Sequence, residues 1–122
     1  MGDTLERETH RLISSDKVEG TAVYNPRKEK LGSIANVMID KKSGQCEYAV
    51  MEFGGLFGIG SDHYPIPWDM LTYDTDVGGY VVDIAKDRLT GAPRYARDQV
   101  PEYTDSYGRS IYGYYGLAYP ML

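Results

Sequence analysis

Residues 31–71 read LGSIANVMIDKKSGQCEYAVMEFGGLFGIGSDHYPIPWDML, and the alternation of apolar and turn residues in this stretch decides the fold. Its first ten residues carry Leu31, Ile34, Val37 and Ile39 as apolar positions. A strand places successive side chains on opposite faces, so one face repeats every second residue. Here the phase slips once, between Ile34 and Val37. β-branched content and bracketing turns favour a strand over a helix, with a β-bulge near Ala35-Asn36. The Lys41-Lys42-Ser43-Gly44 turn follows. The next strand, 45–53, is apolar on both faces: Cys46, Tyr48 and Val50 on one, Ala49, Met51 and Phe53 on the other. A glycine-rich crossover leads to a strand over 61–67, which Pro65 and Pro67 mark as an edge or a strand end.

Working outward, residues 1–9 are charged and aperiodic, a flexible arm. The reading predicts a short strand at 10–14, a turn at 16–20 and a strand at 21–24, stopped by Asn25-Pro26. On the other side, 72–74 and 79–84 pair around Asp76-Val77-Gly78-Gly79. Residues 86–89 form one helical turn, ended by Gly91 and Pro93. Beyond Pro93 the composition changes: seven of the twelve tyrosines lie from Tyr95 onward. No period is evident there, so the reading is an extended Tyr-rich tail over 101–122, docked on its own or a neighbouring barrel. Residues 10–100 form the domain itself, an all-β small barrel with one or two short helical turns.

In this order and spacing, the segments GTAVYN (20–25), Leu31-Gly32 with Ile34, Val37-Met38-Ile39-Asp40, Tyr48-Ala49-Val50, the glycine run from Phe53 to Gly60, Pro65 to Trp68, and Ala92-Pro93 resemble the PRC-barrel family. GRSIYGYYG (108–116) is similar to the tails of its stand-alone bacterial members. The family's barrel is shared by the cytoplasmic domain of the photosynthetic reaction-centre H subunit and the C-terminal domain of the ribosome-maturation factor RimM. The resemblance implies a fold and no single reaction.

Bulk properties narrow the classes further. The length of 122 residues suits one domain. A formal net charge of −5 at pH 7 argues against direct nucleic-acid binding, which draws its affinity from Lys and Arg contacts to phosphates. The basic clusters, Arg27-Lys28 with Lys30 and Lys41-Lys42, fall in predicted turns. Cys46 is the single cysteine, so an internal disulfide is impossible and a cytoplasmic location is expected. No apolar run approaches the roughly 20 residues of a membrane span. The N-terminus lacks a signal-peptide core, and Glu6 departs from the myristoylation pattern.

Gly55 and Gly60 stand at phosphate-loop spacing, but Ser61-Asp62 replaces the required Lys-Ser/Thr pair, and a tight crossover is the simpler reading. Asp62 and His63 point to opposite faces and His10 lies far upstream, which makes a zinc site improbable with so few ligands. Cys46 sits in an apolar strand rather than in the electropositive setting of a reactive thiolate. Trp68 reads as a plug at the barrel end. Asp40, Glu47, Glu52, Asp69, Asp74 and Asp83 read as solvated surface. No cofactor and no catalytic residue is expected.

These readings converge on a non-catalytic interaction or scaffold module. It is expected to self-associate, preferably as a dimer, and to engage an unidentified protein partner. The expected contact surface is Ala49, Met51, Phe53, Leu56, Phe57 and Ile59, with Tyr112, Tyr114 and Tyr115 of the tail and Tyr107 as a further contact. Rival readings are a small-molecule or enzyme-like pocket around His63, Tyr64 and Trp68 at the barrel end, and an accessory role in RNA processing by family analogy.

Overall fold

A computed structural model describes residues 11–53 and 62–120. Its strands are β1 (Ala22–Tyr24), β2 (Lys30–Ile39), β3 (Cys46–Phe53), β4 (Asp62–Pro67), β5 (Leu71–Asp74), β6 (Gly79–Val82) and β7 (Tyr95–Ala96). They form one seven-stranded sheet in the order β5-β6-β1-β2-β3-β4-β7. All pairs are antiparallel except β1 with β6. The sheet is all-β in class and barrel-like, with β5 and β7 as its edges. Three helices accompany the strands among the described residues, α1 (Ser15–Val18), α2 (Lys86–Thr90) and α3 (Asp105–Tyr114), with a 3-10 turn at Trp68–Met70.

The phase slip in β2 is a bulge. Ile34 pairs with Met51 and Asn36 with Val50, which leaves Ala35 as the extra residue. A second shift pairs Met38 with Tyr48 and Ile39 with Cys46, so Glu47 is the extra residue on β3. Bulges raise the local twist and bend the strand, and these two curl the β2–β3 hairpin. Both turns flanking β2 hold their geometry with side chains. The Asn25 carboxamide oxygen accepts from the Arg27 and Glu29 backbone N–H groups, both at 3.0 Å. The Asp40 carboxylate accepts from the Lys42 N–H at 3.2 Å and the Ser43 hydroxyl at 2.9 Å, and Gly44 takes the left-handed φ of 77° that closes the turn. Lys41-Lys42 is therefore turn chemistry.

Several local expectations shift. Residues 11–14 form no strand, and 16–20 contains the end of α1, anchored by buried Val18. His10 lies outside the described residues. Strand β4 is flanked on both sides, by β3 along its length and by β7 at Asp62 and His63 alone. Pro65 and Pro67 thus stand beyond the reach of β7, where a missing donor costs nothing.

The largest departure is the tail, which is helical where an extended chain was expected. The Thr104 hydroxyl caps α3 by accepting the Tyr107 N–H at 3.1 Å. Asp105 adds a carboxylate to the first turn, where the helix dipole favours it. Gly116, at φ 75°, terminates the helix while the Leu117 N–H reaches back to the Tyr112 carbonyl at 2.9 Å. Gly108, Ile111, Tyr112 and Tyr115 are its buried residues, a stripe at i, i+3, i+4 and i+7. Gly108 and Gly113 depress helix propensity by roughly 1 kcal/mol each, which masks that stripe.

Register settles what each face of β3 meets. Ala49 pairs with Ile66, and Met51 pairs with both Ile34 and Tyr64. Ala49 and Met51 are 1% and 0% exposed within the chain itself, so they belong to the interior and offer no contact surface. On the opposite face Tyr48 meets the tail, through the rings of Tyr103 and Tyr112.

Candidate functional site

The concave chemistry of this molecule is built where the tail meets the outer face of β3 and β4. Tyr48 receives Tyr103 and Tyr112 edge-on, at ring-centre distances of 5.3 and 5.7 Å. The seam continues through Tyr103 to Tyr107 at 5.1 Å, and through Tyr112 to Tyr119 at 5.3 Å. It also runs through Tyr95, whose hydroxyl lies 2.7 Å from that of Tyr103. Edge-to-face aromatic pairs of this kind contribute about 0.5–1.5 kcal/mol each beyond their buried area. Polar pegs fix the register of the tail. The Tyr112 hydroxyl donates to the Glu47 carbonyl at 3.3 Å, and Arg88 of α2 and Tyr114 exchange hydrogen bonds with each other's backbone carbonyls. Gly108 permits the close approach: a Cβ there would lie 2.6 Å from the Tyr48 hydroxyl oxygen.

Between this seam and the tip of the β2–β3 hairpin lies a cleft of about 410 Å³. It is lined by Met38, Ile39, Asp40, Lys41, Lys42, Glu47, Tyr48, Tyr103 and Tyr119. Ile39 is 50% exposed at its margin. A second depression of about 510 Å³ lies between the 25–29 turn and α2. Its charged lining is Arg27 and Lys86 with Glu29, Asp83 and Asp87.

The other sequence candidates are placed as follows. His63 is buried on β4, its Nε2 3.3 Å from a Glu52 carboxylate oxygen and its ring edge-on to Tyr95. Asp62 points away from it and pairs with Arg94 at 3.1 Å. Tyr64 is buried against Phe53, and Trp68 packs against Tyr80. Neither of these two depressions is lined by His63, Tyr64 or Trp68. Cys46 is half-buried, and burial pushes its thiol up, away from thiolate character. Among the described residues no three His, Cys, Asp or Glu side chains gather as a metal site, and no helix is long and apolar enough to cross a membrane. The phosphate-loop glycines and the contact residues Leu56, Phe57 and Ile59 lie outside the described residues. Tyr112 and Tyr115 are buried in the core, and Tyr114 is held by Arg88. These tail contacts are thus spent within the chain. Sequence reading missed Tyr103, Tyr119 and Glu47 as cleft residues. The Thr104 cap and the 108/111/112/115 spacing were the available signals for the first two.

The seam carries a pH signature. Burial pushes the phenols of Tyr107 and Tyr112 up to about 12, and raises Tyr48, Tyr103 and Tyr115 still further. In an unfolded chain a phenol ionises near 10. Below about 10 both states keep their protons, so the docked tail retains its full stability. Above it the unfolded chain sheds protons that the folded one holds, and stability falls as pH climbs from about 10 through 12. Paired titrations of tyrosinate absorbance and far-ultraviolet circular dichroism should show ionisation delayed until the fold is lost. Smooth titration near 10 with an intact fold would contradict the buried seam.

The PRC-barrel domain model matches residues 10–89. No curated protein matches the chain.

Proposed function

On the premise that this chain belongs to the PRC-barrel family, we propose that it is a non-catalytic protein-interaction module whose contact site is the tyrosine-lined cleft. The observation that carries this reading is the lining of that cleft. His63, Tyr64 and Trp68 pack on Glu52, Tyr95, Phe53 and Tyr80, and Tyr103 and Tyr119 line the cleft beside exposed Ile39. Rigid aromatic side chains beside an apolar margin are the usual anchors of protein interfaces. A cytoplasmic setting belongs to the same proposal and rests on the lone Cys46. The net charge of −5 counts against an RNA-processing role through direct contact. A photo-crosslinking residue at position 39 should give partner adducts that the same residue at Asp76, in the β5–β6 turn, does not give. Equal labelling from both positions would overturn the proposal.

Self-association is a second proposal, and its support is now narrower. Tyr48 on the outer face of β3 is covered by the chain's own tail, so that position needs no second subunit. Half-buried Phe53, packed on Tyr64 at the end of β3, remains with Leu56, Phe57 and Ile59 as the proposed contact. Sedimentation equilibrium should show a wild-type dimer that Phe53→Asp weakens, because an unpaired charge would sit in an apolar contact. A wild type that stays monomeric at high micromolar concentration removes this proposal.

A further inference from the structure

We propose that the cleft takes an arginine-bearing, extended segment of a partner protein, with the guanidinium seated between the Glu47 carboxylate and the ring of Tyr119. The inference rests on the interaction-module reading and names the chemistry of the partner.

Three observations carry it. First, the bulge makes Glu47 the unpaired residue of β3, and bulges commonly re-aim a side chain beside a functional site. Among the described residues the Glu47 carboxylate makes no hydrogen bond or ion pair. Second, carboxylates stand beside Tyr119, and Glu47 shares the cleft lining with it. The Glu47 charge reaches the phenols of Tyr48, Tyr112 and Tyr119, Asp69 acts on Tyr112, and Asp105 accepts the Tyr119 hydroxyl at 3.4 Å. Arg109 is a cation that acts on Tyr119. Third, the lining is aromatic. A guanidinium gains from a tyrosine face and from a carboxylate together, and its planar fork suits both.

Lys41 and Lys42 of the hairpin turn also line the cleft, next to Asp40. They also give the test its sign. If the occupant is cationic, the lysines oppose it; if it is acidic, they hold it.

The probes are three capped peptides, Gly-Arg-Gly-Arg-Gly and its Lys and Glu counterparts, titrated into the full chain and followed by backbone amide shifts. The arginine peptide should shift residues 38–48, 103 and 119 and bind more tightly than the lysine peptide. Glu47→Gln and Tyr119→Ala should each weaken binding about fivefold, whereas Asp76→Asn, far from the cleft, should not. Lys41→Ala with Lys42→Ala should tighten it. Thermal melts of each variant check that the fold is kept. Tighter binding of the glutamate peptide, shifts scattered over the protein's carboxylates, an unaffected Glu47→Gln, or no binding up to about one millimolar would each overturn the proposal. A position-39 partner adduct without arginine-peptide binding would leave the interaction module standing and remove only the arginine assignment. Failure of both experiments removes both.

Discussion

A chain ended after Val100 is expected to lose its cooperative unfolding transition, although it keeps every residue that the family model matches. The cut removes Ile111, Tyr112 and Tyr115, which are 0%, 4% and 8% exposed. Burying each such side chain contributes about 2 kcal/mol, so the loss is comparable with the roughly 5–15 kcal/mol of net stability of an ordinary domain. The cut also strips Tyr48 of Tyr103 and Tyr112 and opens an apolar face to water, which favours aggregation. Calorimetry on the full and shortened chains, with a hydrophobic dye to report exposed surface, checks this. A shortened chain that melts cooperatively at the wild-type temperature and stays soluble would show the tail to be an accessory. Gly108→Val provides a milder version, since its side chain would drive into the Tyr48 hydroxyl and the Tyr119 ring. It should lower the melting temperature without abolishing the transition.

Gly32→Ala is expected to be the most damaging single substitution in the sheet. A Cβ at Gly32 would overlap the backbone carbonyl oxygen of Glu52, far inside van der Waals contact, and would also press on the Met51 side chain. Overpacking against mobile side chains costs about 1–3 kcal/mol. Here the obstacle is the backbone of β3, held by its pairing with β2 and β4, so about 3 kcal/mol or more is expected. For a domain of this size that is a fall of roughly 10 °C or more in melting temperature. Gly113→Ala is the matched control: its Cβ would meet nothing within 4 Å on α3, and alanine should stabilise the helix by about 0.5–1 kcal/mol. A Gly32→Ala variant that melts like the wild type would mean that β2 and β3 do not approach each other as described.

The sequence by itself determined the features that depend on neighbours in the chain. Asn25-Pro26, Gly44 and Gly78 mark turns because their side chains or φ angles serve those turns locally. The missed beat between Ile34 and Val37 located the Ala35 bulge, since period-two alternation is a property of the strand alone. Helix α2 was legible from its Gly and Pro stops. Tertiary structure alone decided the rest. Strand 45–53 is apolar on both faces, so pattern could not say which face is interior. That choice follows from pairing Met51 with Ile34 and Tyr64, partners distant in sequence. The parallel contact of β1 with β6 joins residues more than fifty positions apart, and no local signal encodes it. The tail's helix lay hidden because two glycines weaken its intrinsic preference, and what holds it is burial of Ile111, Tyr112 and Tyr115 on a surface made by other strands. Helical stability in proteins comes mostly from such packing rather than from propensity. The cleft shares that origin: Glu47 and Tyr119 are seventy-two residues apart in the sequence, and only a bulge in one strand and the docking of one helix bring them to the same space.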